Sequence, residues 1–347
     1  MSVSVQASPL QQAIRRLAFG HSLTADESAE SFGIIMRGEA TPAQVAALLM
    51  ALRVKGEDIA EVAGAATAMR EAMVRLDADS PEALVDTCGT GGGTVPTFNI
   101  STAAALLAAG LGLRVAKHGN RSFTSQCGSA DVLEALGVPL DVEPLVMERA
   151  LRDAGIVFMF APSMHPAMRH VGPVRRELAI PTVMNIVGPL ANPAGAGRQV
   201  LGVAEEGRMP LLAGALAALG TQHALIVHGE PGMDEVSPLG TTRVLEVRDG
   251  AVSEWSVSPA DFGFAGLAAA DLVGGGPVDN ARIVRAVLSN EGNAAATAAV
   301  ILNAAAALYV GARATSFAEA VAMARDGIAQ RVGMQALDRL RAAYHPA

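Results

Sequence analysis

Through the first ~75 residues the apolar positions recur at helical spacing. Leu10, Ile14 and Leu17 share one face. Thr24 followed by Glu27 forms a capping box. Thr41-Pro42-Ala43-Gln44 is a fuller start signal, with threonine as N-cap, proline in the first helical position and glutamine in the third. Val45, Leu48, Leu49 and Leu52 then make an apolar stripe that Gly56 ends. Ile59, Val62, Ala66 and Met69 mark a further helix. These signals predict a small all-helical domain over residues 1–78.

After Ser80 the pattern changes to short apolar runs separated by turns and by helical stretches. Runs at residues 84–88, 113–116, 156–160 and 224–227 predict strands, and helices are expected from Ser101, over 130–136 and over 209–219. Alternation of this kind implies a mostly parallel sheet covered on both faces. Residues 242–247 and 251–257, joined around Asp249-Gly250, look like a β-hairpin, so the sheet is expected to be mixed. The last ~70 residues return to alanine-rich helices. The predicted fold class is therefore α/β. A small all-helical domain is joined to a large α/β domain, whose mostly parallel, mixed central sheet is flanked by helices.

Composition narrows this picture. Of 347 residues, 51% are hydrophobic but only 3% aromatic, so Ala, Val, Leu and Met must fill the core. The formal net charge of -8 weighs against a nucleic-acid partner. Cys88 and Cys127 make no disulfide framework, which points to a reducing, cytoplasmic setting. No basic start followed by an apolar run opens the chain. The apolar stretch 103–113 is too short to span a bilayer, and 294–312 is broken by Thr297 and Asn303. Both are expected to be buried helices, and no membrane partner is expected.

Two segments carry candidate chemistry. In Asp86-Thr-Cys-Gly-Thr-Gly-Gly-Gly-Thr-Val-Pro-Thr-Phe-Asn-Ile-Ser-Thr102, Gly89, Gly91, Gly92 and Gly93 follow a strand, while Asn99, Ser101 and Thr102 precede a helix. Glycines let backbone N–H groups approach an anion, and a helix start adds free N–H groups and the positive end of a dipole. No Lys-Ser/Thr pair follows the glycines and no third glycine stands at position 94, so neither common nucleotide motif is present. A tight turn with a serine N-cap is the alternative. In the second segment Lys117 and His118 should end a strand, and Gly119, Asn120 and Arg121 open a polar loop. Lys117 and Arg121 suit phosphate, and Asn120 suits orientation of a substrate; a solvated loop is the alternative.

Together, GTGG…TFNIST and KHGNR…S…GSADVLEALG resemble the anthranilate phosphoribosyltransferases. The likeness continues in His165-Pro-Ala-Met168 to Arg175, in Asn185-Ile-Val-Gly-Pro-Leu-Ala-Asn-Pro193, in Gln199-Val-Leu-Gly-Val203, and in His228-Gly to Asp234-Glu235. It spans nearly the whole chain in the family's order.

The resemblance implies a helical domain of residues 1–78, joined by helices from about 165–185, and an α/β domain of residues 79–347. It implies a cleft between them and a homodimer formed through the helical domain. The activity it implies is transfer of the phosphoribosyl group of phosphoribosyl pyrophosphate to the amine of anthranilate, in tryptophan biosynthesis. On this basis the phosphoribosyl pyrophosphate contacts are Gly89, Gly91, Gly92, Gly93, Thr97, Asn99, Ile100, Ser101, Thr102, Lys117, Ser125 and Ser129. Those for anthranilate are Gly89, His118, Asn120, Arg175 and Pro189. Mg2+ is implied as cofactor, on Ser101, Asp234 and Glu235, and no obligatory covalent nucleophile is expected. The chain departs from the family at Gly93, where the fifth position of GTGGD is usually Asp, at Gln126, where Lys or Arg is frequent, and at Gly276, where an acid is common.

Overall fold

A computed structural model describes residues 7–122 and 126–344 of the chain. Ser125, one of the expected donor contacts, lies outside the described residues.

The N-terminal helices are Pro9–Ala18, Ala25–Met36, Pro42–Lys55 and Ile59–Ala72. Their starts follow the local signals. The hydroxyl of Thr24 accepts from the N–H of Glu27 at 3.2 Å, and the Glu27 carboxylate accepts from the N–H of Thr24 at 2.8 Å. Thr41 and Gln44 make the same reciprocal pair. The fourth helix begins with Asp58 and Glu61. The fully buried Glu61 also accepts from the N–H of Leu23 at 3.0 Å and pairs with Lys55 at 3.0 Å, tying the loop before the second helix to the start of the fourth.

Seven strands form one sheet: β1 Val85–Gly89, β2 Val115–Gly119, β3 Ile156–Phe160, β4 Arg198–Gly202, β5 His223–Gly229, β6 Thr242–Arg248 and β7 Ala251–Val257. Their order is β3-β2-β1-β4-β5-β6-β7. The first five are parallel, while β6 and β7 are the expected antiparallel hairpin. The chain leaves β1 toward one edge and returns through β4 to build the other, so the topological switch lies between β1 and β4. Ligands of open α/β sheets bind outside the carboxyl ends of the strands at such a switch. Here those ends are Gly89 and Gly202, which are paired in register.

The sheet separates two apolar cores. On one face lie the helices Ile100–Gly110, Ala294–Val310 and Val332–Tyr344, together with the helices Pro277–Leu288 and Phe317–Ala329. As expected from its composition, Ala294–Val310 is a buried helix. On the other face the helix Met209–Ala218 packs on Leu201, Ala224, Ile226, Leu245 and Val247, and the N-terminal helices continue that core. Val171, Val174, Val183, Met184 and Val187 join the same core from a chain of short helical turns between residues 161 and 190. Among the described residues no helix is long and apolar enough to cross a membrane.

The edge strand β3 is closed by one side chain. The hydroxyl of Tyr344 donates to the carbonyl of Phe158 at 2.8 Å and accepts from its N–H at 3.0 Å. Tyr344→Phe strands both buried backbone groups, each costing about 1–3 kcal/mol. Denaturant titration should show a loss of about 2–4 kcal/mol with turnover unchanged; a loss under ~0.5 kcal/mol would mean water replaces the hydroxyl.

Candidate active site

The glycine-rich turn leaves β1 at Gly89 and is pinned on both sides. The N–H of Thr90 donates to the carbonyl of Gly202 at 2.8 Å, and the Thr90 hydroxyl accepts from the N–H of Ala204 at 3.1 Å. Gly91 and Gly92 adopt φ of +71° and +85°, the left-handed region that a side chain resists. Thr94 then donates through its N–H to the carbonyl of Gly232 at 2.9 Å and through its hydroxyl to that of Pro231 at 2.8 Å. The turn is thereby clamped to the loop after β5.

That loop carries Asp234 and Glu235 across the switch point. The Asp234 carbonyl lies so close over Gly202 that a Cβ there would come within 1.7 Å of it, so only glycine admits the loop at this depth. The Asp234 carboxylate accepts from the N–H of Gly91 at 2.9 Å, and the Glu235 carboxylate from the N–H of Ser101 at 3.1 Å. Asp234, 143 positions from Gly91, meets the turn, and Glu235, 134 positions from Ser101, meets the helix start. Burial raises the pKa of Asp234 from its usual value. Glu235 is pushed up to about 8, by burial first and by the neighbouring Asp234 second. A Cβ on Gly93 would stand 3.0 Å from an Asp234 carboxylate oxygen, so the acid usual in the family at this position would crowd Asp234 here.

Lys117 reaches the same place from β2. It is 3% exposed, donates to the carbonyl of Thr87, and lies 3.4 Å from the hydroxyl of Ser101. Burial lowers its pKa, and the nearby Asp86 opposes the shift. Asp86, on β1, accepts from the N–H of His118 at 3.2 Å and from the side chain of Asn192 at 2.7 Å, while burial raises its pKa to about 6. Thr102, on the first turn of the Ile100–Gly110 helix, keeps a buried hydroxyl with no hydrogen-bond partner.

At the next position on β2, His118 faces His165, with ring centroids 4.9 Å apart. Nε2 of His118 makes no hydrogen bond. Burial lowers His118 to about 3 and His165 to about 4, so both imidazoles are neutral at physiological pH. The carbonyl of Asn120 accepts from the hydroxyl of Ser129 at 3.3 Å, which folds the loop after β2 back onto the next helix. Arg175 is half-buried, has no ion-pair partner among the described residues, and is lowered in pKa by burial alone. Pro189 is held by Gln199, whose side-chain amide donates to its carbonyl at 2.7 Å.

Comparison with known proteins decides the family. Residues 11–73 match the profile of the glycosyl transferase family helical bundle domain, and residues 81–331 that of the glycosyl transferase family a/b domain. The anthranilate phosphoribosyltransferase of Rubrobacter xylanophilus is 49% identical over 330 residues, covering 95% of this chain and 96% of that protein. The chain belongs to the anthranilate phosphoribosyltransferase family.

Among solved structures, anthranilate phosphoribosyltransferase from Thermus thermophilus superposes with a TM-score of 0.90 at 42% identity, covering 96% of this chain and 99% of that one. The Saccharomyces cerevisiae enzyme in complex with PRPP and Mg gives a TM-score of 0.88 at 27% identity, covering 98% of both chains. The same yeast enzyme has been solved in complex with 4-fluoroanthranilate, at a TM-score of 0.86 and 27% identity over 97% of this chain and 98% of that one.

Some of the local chemistry differs from the expectation. Arg121, read as suited to phosphate, is turned away into ion pairs with Asp131 at 2.7 Å and Glu134 at 2.9 Å. Asp86 and Asn192 went unnoticed although both stand in quoted motifs. A lone carboxylate at the start of a glycine turn gives no sign that it will be buried beside a lysine.

The residues present suit a hard divalent cation. Two buried carboxylates with raised pKa values stand at the start of the helix that carries Ser101, and a bound cation would offset the burial that raises both and the repulsion that adds to Glu235. Among the described residues no group of three or more His, Cys, Asp or Glu side chains forms a metal cage. Mg2+ keeps several waters and completes its shell on substrate phosphates, so few protein ligands suffice.

Proposed function

We propose that this protein transfers the 5-phosphoribosyl group of phosphoribosyl pyrophosphate to the amine of anthranilate, releasing pyrophosphate, and that it needs Mg2+. The observation that carries this reading is the convergence of Asp234 and Glu235 on the glycine-rich turn and on Ser101 at the switch point. The donor contacts are Gly89, Gly91, Gly92, Gly93, Thr97, Asn99, Ile100, Ser101, Thr102, Lys117, Ser125 and Ser129. Ser101, Asp234 and Glu235 would hold the metal. Bound Mg2+ supplies Lewis-acid stabilisation to the departing diphosphate.

The protein's own part is positioning and charge. Displacement at the anomeric carbon puts positive charge on the sugar and negative charge on the leaving group. The N–H groups of Gly91 and Ser101 donate here to Asp234 and Glu235; carboxylates turned to a metal would free them for the leaving group, beside the ammonium of Lys117. The acceptor side is built differently. His118 and His165 present neutral rings, Pro189 an apolar surface, and Asn120 an amide. Arg175, with no carboxylate of its own, is free to take that of anthranilate. The acceptor is an aromatic amine that is already neutral, so it attacks without prior loss of a proton, and bringing it to the anomeric carbon is the main requirement. A homodimer through the helical layer belongs to the same reading and is tested by the mass of the protein in solution.

The test is formation of N-(5-phosphoribosyl)anthranilate by purified protein, with and without EDTA. Product that depends on added Mg2+ is the expected result; no product at saturating substrates, or full activity in EDTA, would overturn the proposal. Arg175→Ala is expected to lower kcat/KM for anthranilate by about 10- to 10²-fold, the worth of a hydrogen bond to a charged group, with the donor KM little changed. Equal losses for both substrates would make Arg175 a structural residue.

A further inference from the structure

Asn280 lies outside every contact assigned above, yet it joins three segments around the donor side. It sits in the first turn of the Pro277–Leu288 helix and is 2% exposed. Its side-chain oxygen accepts from the N–H of Gly275 at 2.7 Å. Its side-chain nitrogen donates to the Asn99 side-chain oxygen at 2.9 Å. The Asn99 amide in turn donates to the carbonyl of Cys127 at 3.1 Å. The loop before Asn280 is stitched to the strand-like stretch before Asn99 as well. Phe98 donates to the carbonyl of Leu272 at 3.0 Å, Gly274 donates to that of Pro96 at 3.2 Å, and Thr97 bridges Val273.

An asparagine amide has two donor hydrogens and two acceptor lone pairs. Asn99 gives one hydrogen to Cys127 and one lone pair to Asn280, which leaves one of each. Rotating the amide by half a turn would set nitrogen against the Asn280 nitrogen and oxygen against the Cys127 carbonyl. Both bonds would be lost, in a half-buried place where unmade bonds are costly. Asn280 and the Cys127 carbonyl therefore decide together which way the Asn99 amide faces, and Asn280 supplies the side-chain half of that lock.

We infer that Asn280 is a positioning residue for the transfer reaction, locking the Asn99 amide in one orientation and thereby setting the affinity for the phosphoribosyl donor. The inference rests on the reading of Asn99 as a donor contact. Asn280 also hydrogen-bonds the Cys127 side chain, so what separates the inference from a packing role is that its effect runs through Asn99 and falls on the donor.

The experiment compares Asn280→Ala, Asn280→Asp, Asn99→Ala and the double variant Asn99→Ala with Asn280→Ala. It reads kcat, both KM values, and phosphoribosyl pyrophosphate binding by calorimetry with Mg2+ present. Asn280→Ala should raise the donor KM by about tenfold and leave the anthranilate KM within about twofold, and it should add nothing further in the Asn99→Ala background. Asn280→Asp keeps the acceptor for Gly275 but loses the donor to Asn99. It should reproduce the donor effect, and although its buried carboxylate lowers the melting temperature, assays held well below that temperature keep the test valid should the alanine variant fold poorly. Equal donor losses from Asn280→Ala with and without the Asn99 side chain, both KM values rising together, or a wild-type donor KM in Asn280→Asp would each overturn the inference. An Asn99→Ala variant with wild-type donor affinity would overturn it too, and would locate the fault in the donor-site reading itself.

Discussion

Lys117→Met should lose about 10²- to 10³-fold in kcat, the usual cost of removing one preorganised charge from a developing anion. The substitution keeps the length and apolar stem of the side chain, so the fold has little to repack. Its stability should follow pH in a defined way. Burial depresses the pKa of Lys117 below its usual 10.5, so the unfolded chain holds this proton more tightly than the native one. In the wild type that mismatch costs stability at neutral pH, and the cost disappears only as pH rises through the depressed pKa toward 10.5. Methionine removes it.

The neighbour pulls the other way. Asp86 loses its cation, and its carboxyl, already raised to about 6, rises further. A raised carboxyl contributes stability that is complete below its unfolded value near 3.8 and is lost as pH rises through the folded value. The variant should therefore melt at or above the wild type at mildly acidic pH, and its advantage should shrink above about pH 6, where Asp86 must ionise without a partner. Melting curves across pH, beside steady-state kinetics, check both halves. A folded variant with wild-type kcat would remove Lys117 from the reaction.

Asp234→Asn combined with Glu235→Gln should lower kcat by a similar ~10²-fold or more and raise the Mg2+ needed for half-maximal rate, while apo stability stays level or improves. The reason is the repulsion that metal would relieve. With Glu235 held up to about 8 by burial and by Asp234, the metal-free wild type keeps this group's full contribution below about pH 4.5 and loses it as pH rises through 8. The double amide has no such proton to lose, so its melting temperature should be flatter over that window. Added Mg2+ should stabilise the wild type and leave the variant nearly unmoved. A wild-type Mg2+ dependence in the variant, or parallel melting profiles for the two proteins, would reduce these acids to a structural clamp on the glycine turn and the helix start.

Local chemistry determined a good deal of this protein. The caps at Thr24, Thr41 and Gly56 depend on residues within four positions of one another, so they are legible without the fold, and each helix starts or ends where they stand. The hairpin around Asp249-Gly250 is of the same kind. The ordered motifs pointed to the family because each is a contiguous string, and the comparisons bear that out.

What escaped was set by distant parts of the chain. Strand β2 was expected over 113–116 but runs Val115–Gly119, because Leu113 is drawn into the core beneath it and the polar Lys117 and His118 continue the ladder beside β3. Strand β4, at the centre of the sheet, was not foreseen: Arg198–Gly202 is five residues long with polar side chains at two of them, too brief for a periodic signal. Gly202 is the sharpest case. Nothing beside it in sequence asks for glycine; the carbonyl of Asp234, arriving from the loop after β5, does. The same holds for Asp86, Asn192 and Asn280, ordinary polar residues until the sheet order buries them against partners 106 and 181 positions away. Sequence carries the chemistry of each group, but the free energy of a buried carboxylate or amide depends on which partners and how much water remain around it, and only the packed chain decides that.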